Sequence, residues 1–143
     1  MAVKDLYPEI VKVALEKEGW IVAETPYCME RIFFSEFLKA DGCEDKNNWL
    51  RAEKGGEKIT VEVNSFLGHS IMLDYHSALG QMLMYQICMK THEPDRKLWL
   101  AIPEHIYFSM EREDFYQQTF TKHHISFLVF DIDNESIVLW QEN

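Results

Sequence analysis

The chain has 143 residues and a formal net charge of −10 at pH 7. Its hydrophobic content of 47% and aromatic content of 13% are typical of one folded domain, spanning 1–143, and exclude a disordered chain. No apolar run reaches the roughly 18 residues of a membrane span, and the charged amphipathic start does not have the pattern of a signal peptide. Three widely spaced cysteines without a CxxC pair argue against a disulfide framework or a zinc site. We therefore expect a cytoplasmic protein with no membrane partner.

The acidic charge bears on any interaction with nucleic acid. Residues 1–58 carry nine bases against twelve acids, and residues 59–143 carry five bases against twelve acids. Because DNA-binding proteins neutralise phosphates with basic side chains, this balance argues against unaided capture of DNA. Contact with DNA would need a local patch in the first half of the chain, a bound divalent metal or a partner protein.

The predicted elements follow one another in an α-β-ββ-α-β-α-ββ order. They are a helix over 6–17, an extended segment from 20, strands over 49–54 and 57–65, a helix over 70–90, a buried strand over 97–103, helical structure over 104–122, and strands over 125–131 and 136–140. In the long helix, we expect Leu79, Met82, Leu83 and Ile87 to face the core. The order predicts an α/β fold with a mixed central β-sheet flanked by α-helices.

A hairpin around Gly55-Gly56 contains the most informative residues of the chain. The alternation of a strand puts Ile59, Val61 and Val63 on one face, and Glu62 with Asn64 on the other. An ionised carboxylate on an otherwise apolar strand is costly to bury unless it is paired or binds a metal. Glu62-Val63-Asn64 has the spacing of Glu-x-Lys, the strand half of the metal-dependent nuclease motif PD-(D/E)xK, with asparagine at the lysine position. The alternative is a glutamate on the solvated side of the hairpin.

A metal-dependent nuclease needs a second carboxylate that converges with Glu62 on Mg²⁺ or Mn²⁺. Asp41 and Asp45 both precede the hairpin and are the two candidates, and the sequence does not choose between them. Each is also a common turn residue. Lys58 shares a face with Glu62, but the hairpin register puts it opposite Glu53, which predicts a cross-strand salt bridge instead of a catalytic lysine.

The long helix carries a second polar pair. Gln81 and Tyr85 are four residues apart and therefore share one helix face. Gly80 beside them lowers helix propensity by about 1 kcal/mol relative to alanine, and a glycine in such a place usually allows a close approach of backbone or ligand. An exposed glutamine and a half-buried tyrosine are the alternative interpretation of the pair.

Short segments along nearly the whole chain, apart from 25–50, resemble the XisH family, the fdxN element excision controlling factor of cyanobacteria. They are Lys4-Asp5-Leu6, Ala14-Leu15, Gly19-Trp20, Ala52-Glu53-Lys54-Gly55-Gly56-Glu57-Lys58-Ile59, Val61-Glu62-Val63, Ser65-Phe66-Leu67-Gly68, Ala78-Leu79-Gly80-Gln81, Glu93-Pro94-Asp95-Arg96, Ala101-Ile102-Pro103-Glu104 and Ile137-Val138-Leu139-Trp140. The resemblance implies a restriction-endonuclease-like fold of the PD-(D/E)xK superfamily. It also implies a role in site-specific DNA excision during heterocyst differentiation, beside a recombinase and a companion protein, XisI.

The resemblance also implies roles for single residues. Glu62 matches the glutamate of the Glu-x-Lys pair, and Gln81 with Tyr85 matches the Gln-xxx-Tyr helix motif of RecB-like nucleases. Asp41 is the preferred match for the first aspartate and, with Glu62, for a metal ligand, and Asp45 is the alternative. Glu9 is a candidate accessory acid. Asn64 departs from the lysine of the family, and its uncharged amide cannot offset transition-state charge as lysine does.

Three hypotheses follow for function. The first is a DNA-rearrangement control factor on a nuclease-like fold that acts through a protein partner. The second is an active nuclease that uses Mg²⁺ or Mn²⁺ with Asp41, Glu62 and Asn64, while Gln81 and Tyr85 position the substrate. The third is a non-catalytic interaction module, which as a protein-binding domain needs no metal. The sequence leaves a homodimer open.

Overall fold

The computed structural model describes residues 6–23, 48–68 and 70–143. These ranges contain four helices and six strands. In chain order they are α1 (Tyr7–Lys17), β1 (Ile21–Val22), β2 (Trp49–Lys54), β3 (Glu57–Val63), α2 (Ile71–His92), β4 (Arg96–Pro103), α3 (Glu104–Glu111), α4 (Asp114–Lys122), β5 (Ser126–Asp131) and β6 (Ser136–Gln141). Within these ranges, no helix combines the length and the apolar character that a bilayer crossing requires.

The six strands form one mixed sheet in which spatial order equals chain order. β3, β4 and β5 are parallel, and the remaining neighbours are antiparallel. Parallel neighbours need a crossover connection, which α2 supplies between β3 and β4, and α3 with α4 between β4 and β5. The predicted α/β fold with a mixed sheet flanked by helices is confirmed.

The β2–β3 hairpin has the predicted turn and register. Gly55 and Gly56 both have positive φ, 57° and 85°, as a two-residue type I′ turn requires, and glycine adopts such angles without the steric cost of a Cβ. Trp49 lies opposite Glu62, and Glu53 lies opposite Lys58. The turn therefore fixes which residues of β3 face each side of the sheet.

Each face of the sheet packs against different helices. On one face, α1 covers the side chains of Ile59, Val61 and Val63 together with residues from β2, β4 and β5. On the other, α2, α3 and α4 cover a core that includes Trp49 and Leu100. Because successive side chains of β3 point to opposite faces of the sheet, Glu62 projects into this second layer. As predicted, it lies on the face opposite to Val61 and Val63.

α1 is also attached to the opposite edge of the sheet, at β6. The Lys17 ammonium donates a hydrogen bond to the carbonyl of Asn134 at 2.7 Å. The indole of Trp140 donates one to the Glu18 carboxylate at 3.0 Å and packs against Trp20 with 6.0 Å between ring centroids. The first described helix and the last strand therefore hold one another in place.

α2 corrects one prediction. Its buried residues are Tyr75, Ala78, Met82, Tyr85 and Met89. Met82 faces the core as predicted, and Leu79 and Leu83 are partly buried, but Ile87 is 70% exposed. Most of the helix surface is apolar, and the hydrophobic pattern therefore does not single out one inward face.

The helical region after β4 is two helices. α3 ends at Glu111, and α4 begins after Glu113, whose extended backbone (φ −117°, ψ 111°) interrupts the helix. Met110 from α3 and Phe120 from α4 are both fully buried in the layer that covers the α2 side of the sheet. The break lets both short helices place their apolar sides against the same core.

The β5–β6 turn yields a pH-dependent prediction. Hydrogen bonds from the side chain and backbone of Asn134, and from the backbone of Asp133, hold the pKa of the Asp131 carboxyl below its ordinary value. A lowered pKa in the folded state stabilises the fold above the unfolded pKa, and this contribution is lost as pH falls through the folded value. We expect Asn134→Ala to raise the Asp131 pKa, measured by NMR titration, and an unchanged titration curve would contradict the assignment.

Candidate functional site

Glu62 is a buried carboxylate in the middle of the sheet. It is 1% exposed and lies between its cross-strand neighbours Trp49 on β2 and Leu100 on β4. Both neighbours are apolar core residues on the α2 side. Burial of a carboxylate costs several kcal/mol unless partners compensate, so a glutamate at this point needs a structural or functional reason. The solvated strand face considered from the sequence is wrong.

Asn64 has a structural role at the end of β3. Its side-chain oxygen accepts a hydrogen bond from the backbone N–H of Phe66 at 3.0 Å. The backbone N–H of Asn64 donates a hydrogen bond to the carbonyl of Ala101 on β4 at 3.2 Å. Phe66 has a φ of 52°, a left-handed conformation that a bulky residue rarely adopts. The asparagine side chain therefore closes a local turn that a lysine could not close in the same way.

We expect Asn64→Ala to lower the free energy of unfolding by about 1 kcal/mol, because the Phe66 N–H loses its acceptor. Asn64→Asp retains that acceptor and is the matched control. Urea denaturation measures both variants, and equal stability of the alanine variant and the wild type would show that the turn does not depend on Asn64.

Tyr85 joins the layer that contains Glu62. Its ring is fully buried and meets Trp49 edge to face, with 4.8 Å between centroids. Trp49 is the residue opposite Glu62, so it neighbours Glu62 within the sheet and Tyr85 across the core on the α2 side. Gln81 is partly buried one turn earlier on α2. The half-buried tyrosine considered from the sequence is wrong, because the ring lies fully within the core.

Tyr75 is a second tyrosine on the buried side of α2. Burial raises the pKa of its phenol, a hydrogen bond with Thr119 lowers it, and the nearby Tyr116 raises it further. Its ring also packs edge to face on Tyr116 and Phe120. The hydrogen bond with Thr119 and the ring contacts make Tyr75 a hydrogen-bonded core residue.

The other sequence candidates do not join this group. Glu9 is exposed on α1, on the opposite face of the sheet from Glu62. Asp41 and Asp45 lie outside the described residues. Gly80 is exposed, and within the described ranges no atom lies within 4 Å of a Cβ built on it. Within the described ranges, no backbone segment of this chain therefore makes the close approach expected at Gly80.

Lys58 pairs with a residue other than the predicted one. It lies opposite Glu53 as expected, but its ammonium forms an ion pair with Asp95 at 3.5 Å. Glu53 instead lies 3.6 Å from the guanidinium of Arg96. The predicted register is correct, but the ion pairs differ from the predicted one. Asp95, in the loop before β4, pairs with Lys58, and Arg96 on β4 pairs with Glu53.

The Arg96 network was not predicted from the sequence. The Arg96 side chain is 7% exposed and donates hydrogen bonds to the carbonyl of Ile59 at 2.6 Å and to the Glu93 carboxylate at 2.9 Å. Arg51 on β2 also pairs with Glu93. The network joins the loop before β4 to both strands of the hairpin. The Glu93-Pro94-Asp95-Arg96 segment is its only sequence signal.

A divalent metal such as Mg²⁺ or Mn²⁺ needs several oxygen ligands that converge on one point. The described ranges contain no group of three or more histidine, cysteine, aspartate or glutamate side chains that could hold a metal. Glu62 has the oxygen chemistry that Mg²⁺ and Mn²⁺ prefer. Among the described residues, Glu62 can therefore serve as one ligand of such a site, but no complete set of ligands is brought together.

Comparison with known proteins extends over nearly the whole chain. The family model described as XisH protein matches residues 1–138. The chain belongs to the XisH family. Two solved structures are similar: an XisH family protein from Nostoc punctiforme PCC 73102 and an fdxN element excision controlling factor protein from Anabaena variabilis.

Both of these solved structures align over their full length or nearly so. The Nostoc protein has 31% identity and a TM-score of 0.81, with 96% of this chain and 100% of that chain covered. The Anabaena protein has 32% identity and a TM-score of 0.80, with 96% and 99% covered. No curated protein matches the chain. Family membership thus rests on the XisH model and on solved structures of the same fold.

Proposed function

We propose that this chain is a cytoplasmic control factor for the excision of a DNA element. The observation that carries the proposal is the family match over residues 1–138, together with the 32% identity to a chain described as an fdxN element excision controlling factor. The similarity covers nearly the whole chain and is not limited to one motif. A shared role in excision control is the simplest reason for such an extended similarity.

The factor acts through protein partners, a companion of the XisI type and a recombinase. The chain carries a net charge of −10, which opposes direct capture of DNA. Several of its basic side chains are already neutralised by nearby acids: Lys58 by Asp95, Lys97 by Glu142, and Arg96 by Glu93. These ion pairs leave less positive charge for phosphate contacts, which favours recruitment by a partner.

Reconstituted excision tests this function. A plasmid that carries the element is combined with the recombinase and the companion protein, with or without this chain, and the excised circle is measured by PCR. We expect excision to depend on the chain and the chain to co-purify with the companion at micromolar concentration. Excision that proceeds equally well without the chain would overturn the control role, and failure to associate would overturn the partner mechanism.

A metal-dependent nuclease of the PD-(D/E)xK type is the second candidate function. The burial of Glu62 on β3, beside the parallel strand β4, supports it. In this proposal Asp41 and Glu62 would hold Mg²⁺ or Mn²⁺, which would supply polarisation of the phosphate and activation of water. Gln81 and Tyr85 would position the DNA, and Asn64 would donate a hydrogen bond where lysine supplies a charge.

Cleavage of DNA in the presence of Mn²⁺ tests the second candidate. The assay compares the wild type with Glu62→Gln, which keeps the shape of the side chain and removes its charge, and with Asn64→Lys. Cleavage by the wild type that disappears in Glu62→Gln supports the nuclease. If neither the wild type nor Asn64→Lys cleaves any DNA substrate while excision control persists, the fold acts without hydrolysis. Loss of excision control as well, with companion binding intact, would leave an interaction module.

A further inference from the structure

The outward side of α2 carries a continuous stripe of exposed residues. Their spacing alternates between four and three residues, the repeat that forms the seam of a coiled coil. All of them are exposed, and the three largest, Leu73, Met84 and Ile87, are 63%, 47% and 70% exposed. The α2 stripe consists of Leu73, Ser77, Gly80, Met84, Ile87 and Thr91.

The α2 stripe is uncharged on a strongly acidic protein. None of its six residues ionises, and the whole 22-residue helix contains only Asp74 and Lys90 as formally charged side chains. The Asp74 carboxylate already has a partner within the chain, since it accepts a hydrogen bond from the backbone N–H of Gly68 at 2.9 Å. Its apolar members, Leu73, Met84 and Ile87, are large side chains left in contact with water, as is common at interfaces. Two copies could meet on this stripe without bringing like charges together.

The order of side-chain sizes makes the α2 stripe complementary to itself in one direction. If a second copy of α2 runs antiparallel, Gly80 faces Met84, Ser77 faces Ile87, and Leu73 faces Thr91. Every layer then pairs a large side chain with a smaller one, as interdigitating knobs and holes require. A parallel arrangement pairs glycine with glycine and serine with serine, which leaves gaps in the seam.

Gly80 is the point of closest approach in the antiparallel arrangement. Within the described residues, an added Cβ there meets no atom within 4 Å, so the surface above the glycine is open to a Met84 side chain of the second copy. The layers are centred on residue 82, close to the middle of Ile71–His92. The two-fold axis of an isologous dimer therefore passes near the helix centre, and both ends of the seam are used equally.

We propose that the chain forms a homodimer through antiparallel packing of the α2 stripe on the same stripe of a second copy. A foreign helix would have no reason to match the stripe at every layer, whereas a second copy matches it by symmetry. The proposal is independent of the excision function, because it concerns the outer side of α2, whereas Glu62 and Tyr85 lie beneath its inner side.

Sedimentation velocity over a range of protein concentrations tests the dimer. We expect the wild type to self-associate and Ile87→Glu to raise the dissociation constant at least about tenfold, because the layer with Ser77 would bury a charge. Phe108→Glu is the matched control, since Phe108 is an exposed apolar residue on another helix, α3. A wild type that stays monomeric, or a dimer unaffected by Ile87→Glu, would overturn the proposal. Circular dichroism establishes that each variant is folded.

Disulfide trapping tests the direction of packing. In a background with Cys28, Cys43 and Cys88 replaced by serine, Leu73→Cys and Thr91→Cys are made as separate single-cysteine proteins. An equimolar mixture should form a cross-linked heterodimer, because the antiparallel arrangement places position 73 opposite position 91. Cross-linking of the Leu73→Cys protein with itself, and not with the Thr91→Cys protein, would indicate a parallel pair and contradict the proposed interface.

Discussion

Replacement of Tyr85 by alanine is expected to lower the free energy of unfolding by about 3–5 kcal/mol, the usual loss for a fully buried aromatic residue. The Tyr85 ring is fully buried and packs edge to face on Trp49, in the layer that also contains Glu62. Its removal takes apolar area from the core and leaves a cavity beside Trp49. Guanidinium denaturation followed by tryptophan fluorescence measures the loss.

Tyr85→Phe separates packing from hydroxyl chemistry. The ring stays in place, and we expect stability to fall by no more than about 1.5 kcal/mol, the contribution of one hydrogen bond. If the alanine variant is as stable as the wild type, Tyr85 is not a core residue. If the phenylalanine variant is stable but no longer supports DNA excision or cleavage, the hydroxyl has a functional role of the kind that the resemblance implies.

Replacement of Arg96 by methionine is expected to lower the free energy of unfolding by about 3 kcal/mol, because it removes one partner of a largely buried ion pair. The guanidinium is hydrogen-bonded to the Ile59 carbonyl and to Glu93. Without it, that carbonyl loses a donor in a buried position, and among the described residues Glu93 keeps Arg51 as its ion-pair partner. Thermal and chemical unfolding both report the change.

Arg96→Lys is the control for this second substitution. Lysine retains the charge but lacks the planar fork that reaches the carbonyl and the carboxylate together, and we expect its stability to lie between those of the wild type and Arg96→Met. Wild-type stability of the methionine variant would show that apolar packing compensates fully for the network, contrary to the expected result.

The part of the fold that local chemistry determines was predictable. Gly55-Gly56 requires a tight turn, the turn sets the register that pairs Trp49 with Glu62, and the register sets the face of every β3 side chain. Three levels of structure therefore follow from two glycines and an alternating pattern. The α/β class followed in the same way, from the order of the periodic segments.

The failures have a common physical origin in long-range contacts. The orientation of Ile87 was not predictable, because α2 is apolar on most sides and only its packing on the sheet selects an inward face. The salt bridge of Lys58 was assigned to its cross-strand neighbour, but Asp95 reaches it from the loop before β4. Arg96 joins three segments of the chain, and a local pattern cannot indicate such a network.

For the candidate site, the sequence correctly indicated the unusual position of Glu62, but it did not determine a set of metal ligands. Glu62 was singled out as an odd carboxylate, and its burial in the α2-side layer gives that observation physical weight. The assignment of Asp41 or Asp45 depends on residues 24–47, outside the described ranges. Asn64 has a structural role that no sequence motif indicates, because its side-chain amide closes the turn after β3. The catalytic roles of these residues stay predictions.

The attachment of α1 to β6 has a consequence for the order of events during synthesis on the ribosome. The indole of Trp140 binds a carboxylate 122 positions earlier in the chain, and α1 contacts β6 more than any other strand. At roughly 5–20 residues per second, translation therefore separates the helix from its main docking surface by about 6–25 seconds. During that interval, the apolar side of α1 lacks its docking surface on the last strand. A nascent chain stalled before residue 136 should therefore be a preferred chaperone substrate.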